Sequence, residues 1–394
     1  EDLKNLAENV KNGTDYEGKY FQLTVNIDLK NEEWTPIGTI VYTGEFGRSE
    51  ERYFKGTFDG DGHQIANLTI TGRNEYVGLF GYVRNATIQN CNVAGEVSGY
   101  NAVGGIVGAV DGKTNNILNC SFQGNVEGDG EERGGIVGHT SSGCEVSGCF
   151  VTGTVTGDRE VGGIAGSGVG TIKNCYALAN VTATGVNAGG IAGKAYGVTI
   201  ENCYYSGEVS ARGSAGGIVG NAWGGTIKNC VSLAESVTGS NANRIVGYLN
   251  AGTENNYAWS DPALSTDDAT GLNGANFTYT NGTLSKQFSE IFKNDSAWKF
   301  TDNGLPILKN TGGTQLSELP KCMTGVGFDG FGIKTNPYLI EDAEDLKLLA
   351  EKVNGGVTYK DKYFKLTADI DLKNEPNWTP IGTMLVEEGR PFQG

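Results

Sequence analysis

Basic residues are too few in this chain of 394 residues for a role on nucleic acid or on an anionic membrane. There are 30 Lys and Arg against 46 Asp and Glu, and the formal net charge is −16. A phosphate backbone and an anionic lipid surface both attract proteins through clustered basic side chains. The excess of acids lies at the two ends, since residues 76–250 hold 12 acids and 9 bases and are nearly neutral. We therefore expect neither nucleic acid nor lipid as a partner.

Long apolar runs, histidine and proline are also scarce. No run reaches the length of about 18 apolar residues that crosses a membrane, so no membrane insertion is expected. His63 and His139 alone can act as bases near neutral pH, and no serine or zinc motif lies near either. Glycine is the contrast, with 62 residues against 8 prolines. Because the glycine has no collagen period and 38% of the chain is apolar, the composition indicates tight turns between short strands.

A repeat of about 27 residues runs through the middle of the chain. The segment Val77–Gly81 (VGLFG) recurs as Gly104–Gly108 (GGIVG), and the steps from Leu79 onward are 27, 30, 28, 27, 27 and 27 residues. The equivalent central residues are Ile106, Ile136, Ile164, Ile191, Ile218 and Ile245. Seven units therefore cover residues 76–258, with no room for a helix in any of them.

Two further signatures recur within each unit. The first ends in a cysteine that usually follows asparagine, at Cys91, Cys120, Cys149, Cys175, Cys203 and Cys230. The second is a short strand centred on Val97, Val126, Val155, Val181, Val209 and Val237. Three short strands per 27 residues fit one coil of a β-helix, in which equivalent residues stack about 4.8 Å apart. We therefore predict an all-β, right-handed parallel β-helix with inward columns of Ile, Val and Cys.

The asparagine before each cysteine predicts a bend. Asparagine tolerates the left-handed conformation, and stacked amides can hydrogen-bond from coil to coil. Gly148 replaces asparagine in one coil and meets the same backbone need.

The ends of the solenoid need caps, because open coils expose sheet edges. Residues 1–75 are expected to form an N-terminal cap and the first strands, beginning with a short amphipathic helix. Residues 259–310 are expected to form a C-terminal cap, and 311–331 a linker. Residues 332–394 start a second copy, since Glu344–Glu375 matches Glu1–Glu32 at 21 of 32 positions. This copy lacks coils of its own, so it is a candidate for packing on another chain or on the main solenoid.

The motifs resemble those of GLUG-motif repeat proteins, a bacterial adhesin-like family. The matching stretches are Tyr76–Gly81 (YVGLFG), Ala86–Cys91 (ATIQNC), Trp34–Gly38 (WTPIG), Phe54–Gly60 (FKGTFDG) and Asn336–Ile340 (NPYLI). The resemblance implies a secreted or surface-displayed bacterial protein with a parallel β-helix and an adhesin-like role. It supplies no catalytic residues.

Eight cysteines in an exported protein first suggest disulfides. Six of them share one repeat position, and neighbours in a column point the same way, so we expect free buried thiols. Cys144 and Cys149 are the one candidate pair, and Cys322 has no evident partner. No metal site and no cofactor are expected, although Asp59–Gly62 (DGDG) and the acidic segment Glu127–Glu132 leave calcium open beside the simpler interpretation of solvated turns.

The residue after each cysteine should point outward if the strand alternation continues. Phe150, Tyr176 and Tyr204 occupy this position in three adjacent coils. They would form an exposed aromatic stripe for glycans or proteins, unless the bend breaks the alternation and the rings fill the core. Trp223, with Tyr196 and Tyr248, is a further candidate in the variable loops.

The sequence thus favours a non-catalytic extracellular binding module for glycans or host surface proteins. A β-helix enzyme acting on polysaccharides is the main alternative. Such an enzyme needs clustered acids on one face, and the neutral middle of the chain and the absence of polygalacturonase motifs disfavour it. A purely structural surface stalk is the third possibility.

Overall fold

The computed structural model describes residues 1–43, 48–259, 271–278, 283–301, 304–320, 323, 328, 332, 334, 337–354, 357, 359, 362–373, 378–382, 384, 385, 388 and 389. The chain divides into two compact units, Glu1–Ser317 and Glu318–Gly394. Residues 311–317, expected in a linker, therefore belong to the first unit.

The first unit is a parallel β-helix of about ten coils, which confirms the predicted fold class. Three parallel sheets, here called walls A, B and C, run along it. The strands of wall A are Tyr20–Gln22, Thr57–Asp59, Phe80–Arg84, Thr87–Gln89, Val107–Asp111, Asn115–Leu118, Val137–Thr140, Cys144–Ser147, Ala165–Gly168, Thr171–Lys173, Ala192–Tyr196, Thr199–Glu201, Val219–Lys228 and Val246–Glu254. Those of wall B are Ile27–Asp28, Gln64–Ile70, Asn92–Gly99, Ser121–Gly128, Phe150–Gly157, Tyr176–Ala183, Tyr204–Ala211, Val231–Thr238, Tyr257–Trp259 and Ala275–Phe277. Those of wall C are Val103–Gly104, Glu131–Gly134, Arg159–Gly162, Asn187–Gly189, Ser214–Gly216 and Asn241–Asn243.

The solenoid extends beyond the seven repeat units. Wall B gains Ile27–Asp28 and Gln64–Ile70 before them and Ala275–Phe277 after them. Helix α1 (Asp2–Lys11) buries Leu3, Leu6, Ala7 and Val10 in the core of the solenoid, as their helical spacing predicts. An antiparallel pair, Thr39–Thr43 with Arg48–Arg52, interrupts the first coils.

The inward columns are present. The central isoleucines and valines named above, except half-buried Val237, are almost completely buried, as are the six repeat cysteines. The main chain continues the stacking, because the Ile106 amide donates to the Ile136 carbonyl 3.1 Å away and the Ile136 amide to the Ile164 carbonyl at 3.0 Å. Stacked coils thus share one apolar core.

The asparagine bends are also confirmed. Asn90, Asn119, Asn174, Asn202, Asn229 and Asn255 all have φ between 52° and 54°, and Gly148 has φ 64°. Several of their side chains bond from coil to coil, with Asn119 Nδ2 donating to Asn90 Oδ1 at 3.2 Å and Asn255 Nδ2 to Asn229 Oδ1 at 2.7 Å. These amides link the bends of successive coils.

The cysteines are free thiols wherever the structure describes them. Cys144 and Cys149 are both free and buried, so the candidate pair does not form. Burial and contacts with neighbouring thiols raise the pKa of the repeat thiols from Cys91 to Cys203 well above the usual range. Cys322 lies outside the described residues.

Two further helices and several short strands follow in the described residues after the solenoid. Helix α2 (Leu284–Ile291) is followed by an antiparallel pair, Trp298–Thr301 with Gly304–Leu308. In the second unit, helix α3 (Ala343–Asn354) lies in sequence between the parallel strands Tyr338–Ile340 and Phe364–Leu366. A short antiparallel pair, Met384–Leu385 with Glu388–Gly389, follows.

Candidate functional site

The aromatic stripe of wall B points outward, as the alternation predicts, but it is not exposed. Phe150, Tyr176 and Tyr204 stack in nearly parallel planes with ring centroids 5.0 and 4.8 Å apart. At most 2% of each side chain is exposed, so the prediction of an accessible stripe is wrong. The alternative that they fill the solenoid core is wrong as well, because they lie outside the core cluster that contains their neighbours Val151 and Ala177.

The cover is formed by residues 283–301 and 304–317, here called the strap. Trp298 lies on the stripe, 6.1 Å from Tyr176 and 5.6 Å from Tyr204 between ring centroids. The Tyr204 hydroxyl donates to the Pro306 carbonyl at 2.9 Å. The predicted C-terminal cap thus lies along the side of the solenoid and shields a second apolar cluster there.

Hydrogen bonds fasten the strap to the bends of the coils. The Trp298 indole donates to Asn174 Oδ1 at 3.2 Å, and the Thr311 hydroxyl donates to the Gly148 carbonyl at 2.6 Å. Asp295 accepts from the Asn174 and Asn202 amides, both at 3.3 Å. These contacts leave the stripe no surface for a ligand, so the site must be sought on another wall.

Wall A carries a second candidate surface. One outward position is occupied in successive coils by Tyr82, Ala109, His139, Ser167, Lys194, Asn221 and Tyr248, here called the outward column. Its seven members span six coil steps, or about 29 Å at about 4.8 Å per step. Aromatic rings lie at both ends and charged groups lie between them.

An aromatic patch of Tyr196, Trp223 and Tyr248 forms the exposed end. Each of the three side chains is 43% exposed. Tyr196 and Trp223 are register partners in adjacent strands, and the Trp223 and Tyr248 rings stack with centroids 5.6 Å apart. The sequence placed these residues in variable loops, but all three lie within strands of wall A. The inward neighbours Ala195 and Ala222 are buried, so the rings stand on a packed surface.

A glycine pair shapes the wall beside Trp223. Gly224 and Gly225 have φ of 69° and 78°, and the register of the strand shifts there. A Cβ on Gly225 would lie 2.1 Å from the Val198 carbonyl oxygen. Only glycine permits this turn, and Trp223 directly precedes it.

His139 and Lys194, from the middle of the column, form a charged quartet with Glu132 and Glu160 of wall C. His139 Nδ1 lies 2.8 Å from Glu132 Oε1, and Lys194 Nζ lies 2.7 Å from Glu160 Oε1. Glu132 and Glu160 have φ of 70° and 56°, which is an uncommon conformation for glutamate. The backbone therefore folds both carboxylates against the wall at equivalent positions of adjacent coils.

The pairing changes how the two cations titrate. The hydrogen bond with Glu132 raises the pKa of His139 above its usual value, although burial opposes this. Burial alone would lower the pKa of Lys194, but hydrogen bonds with Glu160 and Tyr196 raise it. The Lys194 ammonium also lies 4.7 Å from the centre of the Tyr196 ring, which links the quartet to the aromatic patch.

A tyrosine cluster of Tyr53, Tyr76 and Tyr82 lies at the other end of the column. The centroids of Tyr76 and Tyr82 are 4.5 Å apart in a stacked arrangement, and Tyr53 is also 4.5 Å from Tyr82. All three are half-buried, and burial is the main cause that raises the pKa of Tyr82 to about 12. Sequence reasoning missed this cluster, although Tyr76 and Tyr82 flank the first repeat motif.

The two acidic segments that left calcium open are occupied by protein donors. Asp59 is buried, which raises its pKa, but hydrogen bonds from Tyr20, Asn90, the Asp61 amide and Gln89 lower it to about 2. In the other segment Asp129 pairs with Arg73 at 2.7 Å and Glu131 with Arg159 at 3.1 Å. Across the described residues no group of three or more His, Cys, Asp or Glu is arranged to hold a metal ion.

The chain is similar to two known proteins. Over 143 residues, 34% of this chain, it is 30% identical to Halomucin of Haloquadratum walsbyi, and the match spans 1% of that protein's length. It is also similar to a crystal structure described as a "putative immunoglobulin A1 protease" from Bacteroides ovatus, with 25% identity and a TM-score of 0.48 over 77% of this chain and 90% of that one.

No protein-family model matches the chain, so the likeness to GLUG-motif repeats rests on the motifs themselves. None of the described helices is both long and apolar enough to cross a membrane.

Proposed function

We propose that this chain is an extracellular, non-catalytic binding module of the bacterial surface, and that wall A holds glycans at the aromatic patch. The observation that carries the proposal is the exposure of Tyr196, Trp223 and Tyr248 on a rigid sheet. Large rings that present an apolar face and a polar edge to solvent suit the alternating apolar and hydroxyl surfaces of sugars. Strands hold such rings more rigidly than loops do, which reduces the entropy lost on binding.

The charged quartet supports a binding role. Glu132 and Glu160 each have a basic partner, whereas glycoside hydrolysis needs one carboxyl free to donate a proton and another free to attack or to activate water. With two acids against one lysine and one histidine, the middle of the wall favours a neutral glycan over a polyuronate.

A glycan array tests the proposal directly. Neutral and uronic-acid polysaccharides are printed, and binding of the full chain is compared with that of a Trp223→Ala/Tyr248→Ala variant. We expect the variant to bind at least about tenfold more weakly, because truncating an aromatic contact at the centre of an interface commonly costs about 2 kcal/mol. Tyr100→Ala is the matched control, because Tyr100 is an exposed tyrosine outside wall A.

Two results would contradict the proposal. Equal binding by the double variant and the wild type would exclude the aromatic patch as the site. Absence of binding to every glycan, with capture of a host surface protein or of nothing, would leave the protein-binding module or the structural stalk in its place.

A further inference from the structure

Wall A carries a second column of residues beside the outward column. Its members lie two residues further along each strand and therefore on the same face of the sheet. They are, as placed by the register of the paired strands, Arg84, Asp111, Ser141, Val169, Tyr196, Trp223 and Asn250. Tyr196 and Trp223 of the aromatic patch thus stand in line with the polar residues of the first coils.

A groove opens at the polar end of this second column. It has a volume of about 580 Å³, and its walls include Arg84, Asp111 and Ser141. Pockets of about 300–1,000 Å³ hold drug-sized ligands, so the groove has room for more than one sugar ring. Ser141 and Tyr196 are two coil steps apart, or about 10 Å, and only the short side chain of Val169 stands between them in the second column. One oligosaccharide can therefore reach both the groove and the aromatic patch.

The groove offers hydrogen-bond donors and acceptors side by side. Arg84 Nε lies 3.3 Å from Asp111 Oδ2, and 45% and 38% of these two side chains are exposed. Asn85 Oδ1 holds the rim in place, because it accepts from the Lys113 and Thr114 amides at 2.9 and 3.3 Å. A guanidinium beside a carboxylate can donate to one sugar hydroxyl and accept from the next. The groove therefore suits a chain of sugars with neighbouring hydroxyls.

The tyrosine cluster borders the groove. The Arg84 guanidinium lies 5.0 Å from the centre of the Tyr53 ring, and the Tyr53 and Tyr82 centroids are 4.5 Å apart. Tyr53 and Tyr82 are half-buried, so part of each side chain remains open to solvent. Aromatic side chains thus lie at both ends of a line on wall A, with polar side chains between them. From Trp223 to Arg84 this line covers five coil steps, or about 24 Å at about 4.8 Å per step.

We propose that the ligand of wall A is an extended neutral polysaccharide that lies along the solenoid axis and is held at the aromatic patch, in the groove and at the tyrosine cluster. This inference rests on the proposed function, because it extends the aromatic patch to a longer site. The strands fix the spacing of the three contacts, so a chain bound at the patch meets the other two at a high effective concentration. A chain long enough to reach the groove therefore binds more tightly than a short one, which contacts the patch alone.

Oligosaccharides of increasing length test the extent of the site. Ladders of β-glucan, mannan and xylan, from disaccharide to dodecasaccharide, are titrated into the full chain by calorimetry. Arg84→Ala removes the guanidinium of the groove, and Tyr53→Ala truncates the tyrosine cluster. Arg73→Ala is the matched control, because Arg73 also has an acidic and an aromatic partner, Asp129 at 2.7 Å and the Tyr100 ring at 4.9 Å, but lies outside wall A.

For the wild type we expect the affinity to rise at least about tenfold from the trisaccharide to the dodecasaccharide of the ladder that binds. Arg84→Ala and Tyr53→Ala should each remove most of this gain and leave trisaccharide binding unchanged, which also verifies that both variants fold. Arg73→Ala should keep the whole gain.

The outcomes separate this inference from the proposed function. Equal affinity of the wild type for short and long oligosaccharides, a gain that survives both variants, or an equal weakening of short and long oligosaccharides would overturn the extended site and leave the aromatic patch in place. Trisaccharide binding that is indifferent to Trp223→Ala, or no binding of any ladder, would instead contradict the proposed function and this inference with it.

Discussion

Replacing Asn229 by alanine tests whether the asparagine bends stabilise the coils. Asn229 Nδ2 donates to Asn202 Oδ1 at 3.2 Å, and Asn229 Oδ1 accepts from Asn255 Nδ2 at 2.7 Å. Each lost bond costs about 1 kcal/mol. Alanine at φ 53° adds about 1 kcal/mol more, because its Cβ approaches the following carbonyl in the left-handed conformation. We therefore expect Asn229→Ala to lose about 3 kcal/mol of local stability.

Hydrogen exchange measures this loss coil by coil. The Tyr257 amide bonds to the Cys230 carbonyl at 2.8 Å, next to the altered bend, and the Ser121 amide bonds to the Cys91 carbonyl far from it, also at 2.8 Å. A loss of about 3 kcal/mol lowers protection about a hundredfold at the first amide. Since solenoid coils are stabilised mainly by their neighbours, the second should change little. Asn250→Ala, at an exposed asparagine of the adjacent coil, is the control, and equal protection in the two variants would refute the reasoning.

Two further changes test the strap and the charged quartet. Trp298→Ala should release the strap, since truncating a buried tryptophan costs about 3–5 kcal/mol of stability. Limited proteolysis should then cut the chain near residue 300. Lys299→Ala, at an exposed neighbour, should leave the cleavage pattern unchanged. Cutting at the same rate in both would show that Trp298 does not hold the strap. The hydrogen bond with Glu132 raises the pKa of His139 in the folded protein. The stabilisation by Glu132 is therefore complete at a pH below the pKa of unfolded histidine, about 6.5, and is lost as the pH rises through the pKa of the folded protein. The difference in unfolding free energy between wild type and His139→Gln should therefore shrink from pH 5.5 to 8.5, and a constant difference would contradict this.

The repeated part of the fold could be predicted because every coil imposes the same constraints. A position that must be apolar, left-handed or without a side chain in one coil must be so in the next, and Ile106, Cys120 and Asn119 each belong to such a series. Gly148 is informative as an exception, since it keeps the conformation of the bend and loses the amide. Periodicity of this kind needs no knowledge of distant contacts.

The strap could not be predicted because it obeys no repeat. The alternation placed Phe150, Tyr176 and Tyr204 on the outer face correctly, but only a contact across 94 residues of sequence, from Tyr204 to Trp298, decides that this face is covered. The apolar character of both segments was visible in the sequence. The contact between them was not visible, because two segments that meet only after the closure of a loop of this length share no local sequence pattern.

Wall A shows the opposite case, in which the loss of regularity marks the candidate site. The inward columns vary little from coil to coil, whereas the outward column runs from Tyr82 through His139 and Lys194 to Tyr248. Ala109 and Ser167 of this column are buried, whereas Tyr248 is 43% exposed, so packing constrains the residues at the exposed end of the column least. The left-handed conformation of Glu132 and Glu160 belongs to the repeat, because Tyr76 and Ala102 adopt it at the same position of the preceding coils, but the carboxylates placed there do not. In a solenoid the residues that depart from the repeat without a structural reason are therefore the ones to test for binding, and Trp223 beside its glycine turn is the first of them.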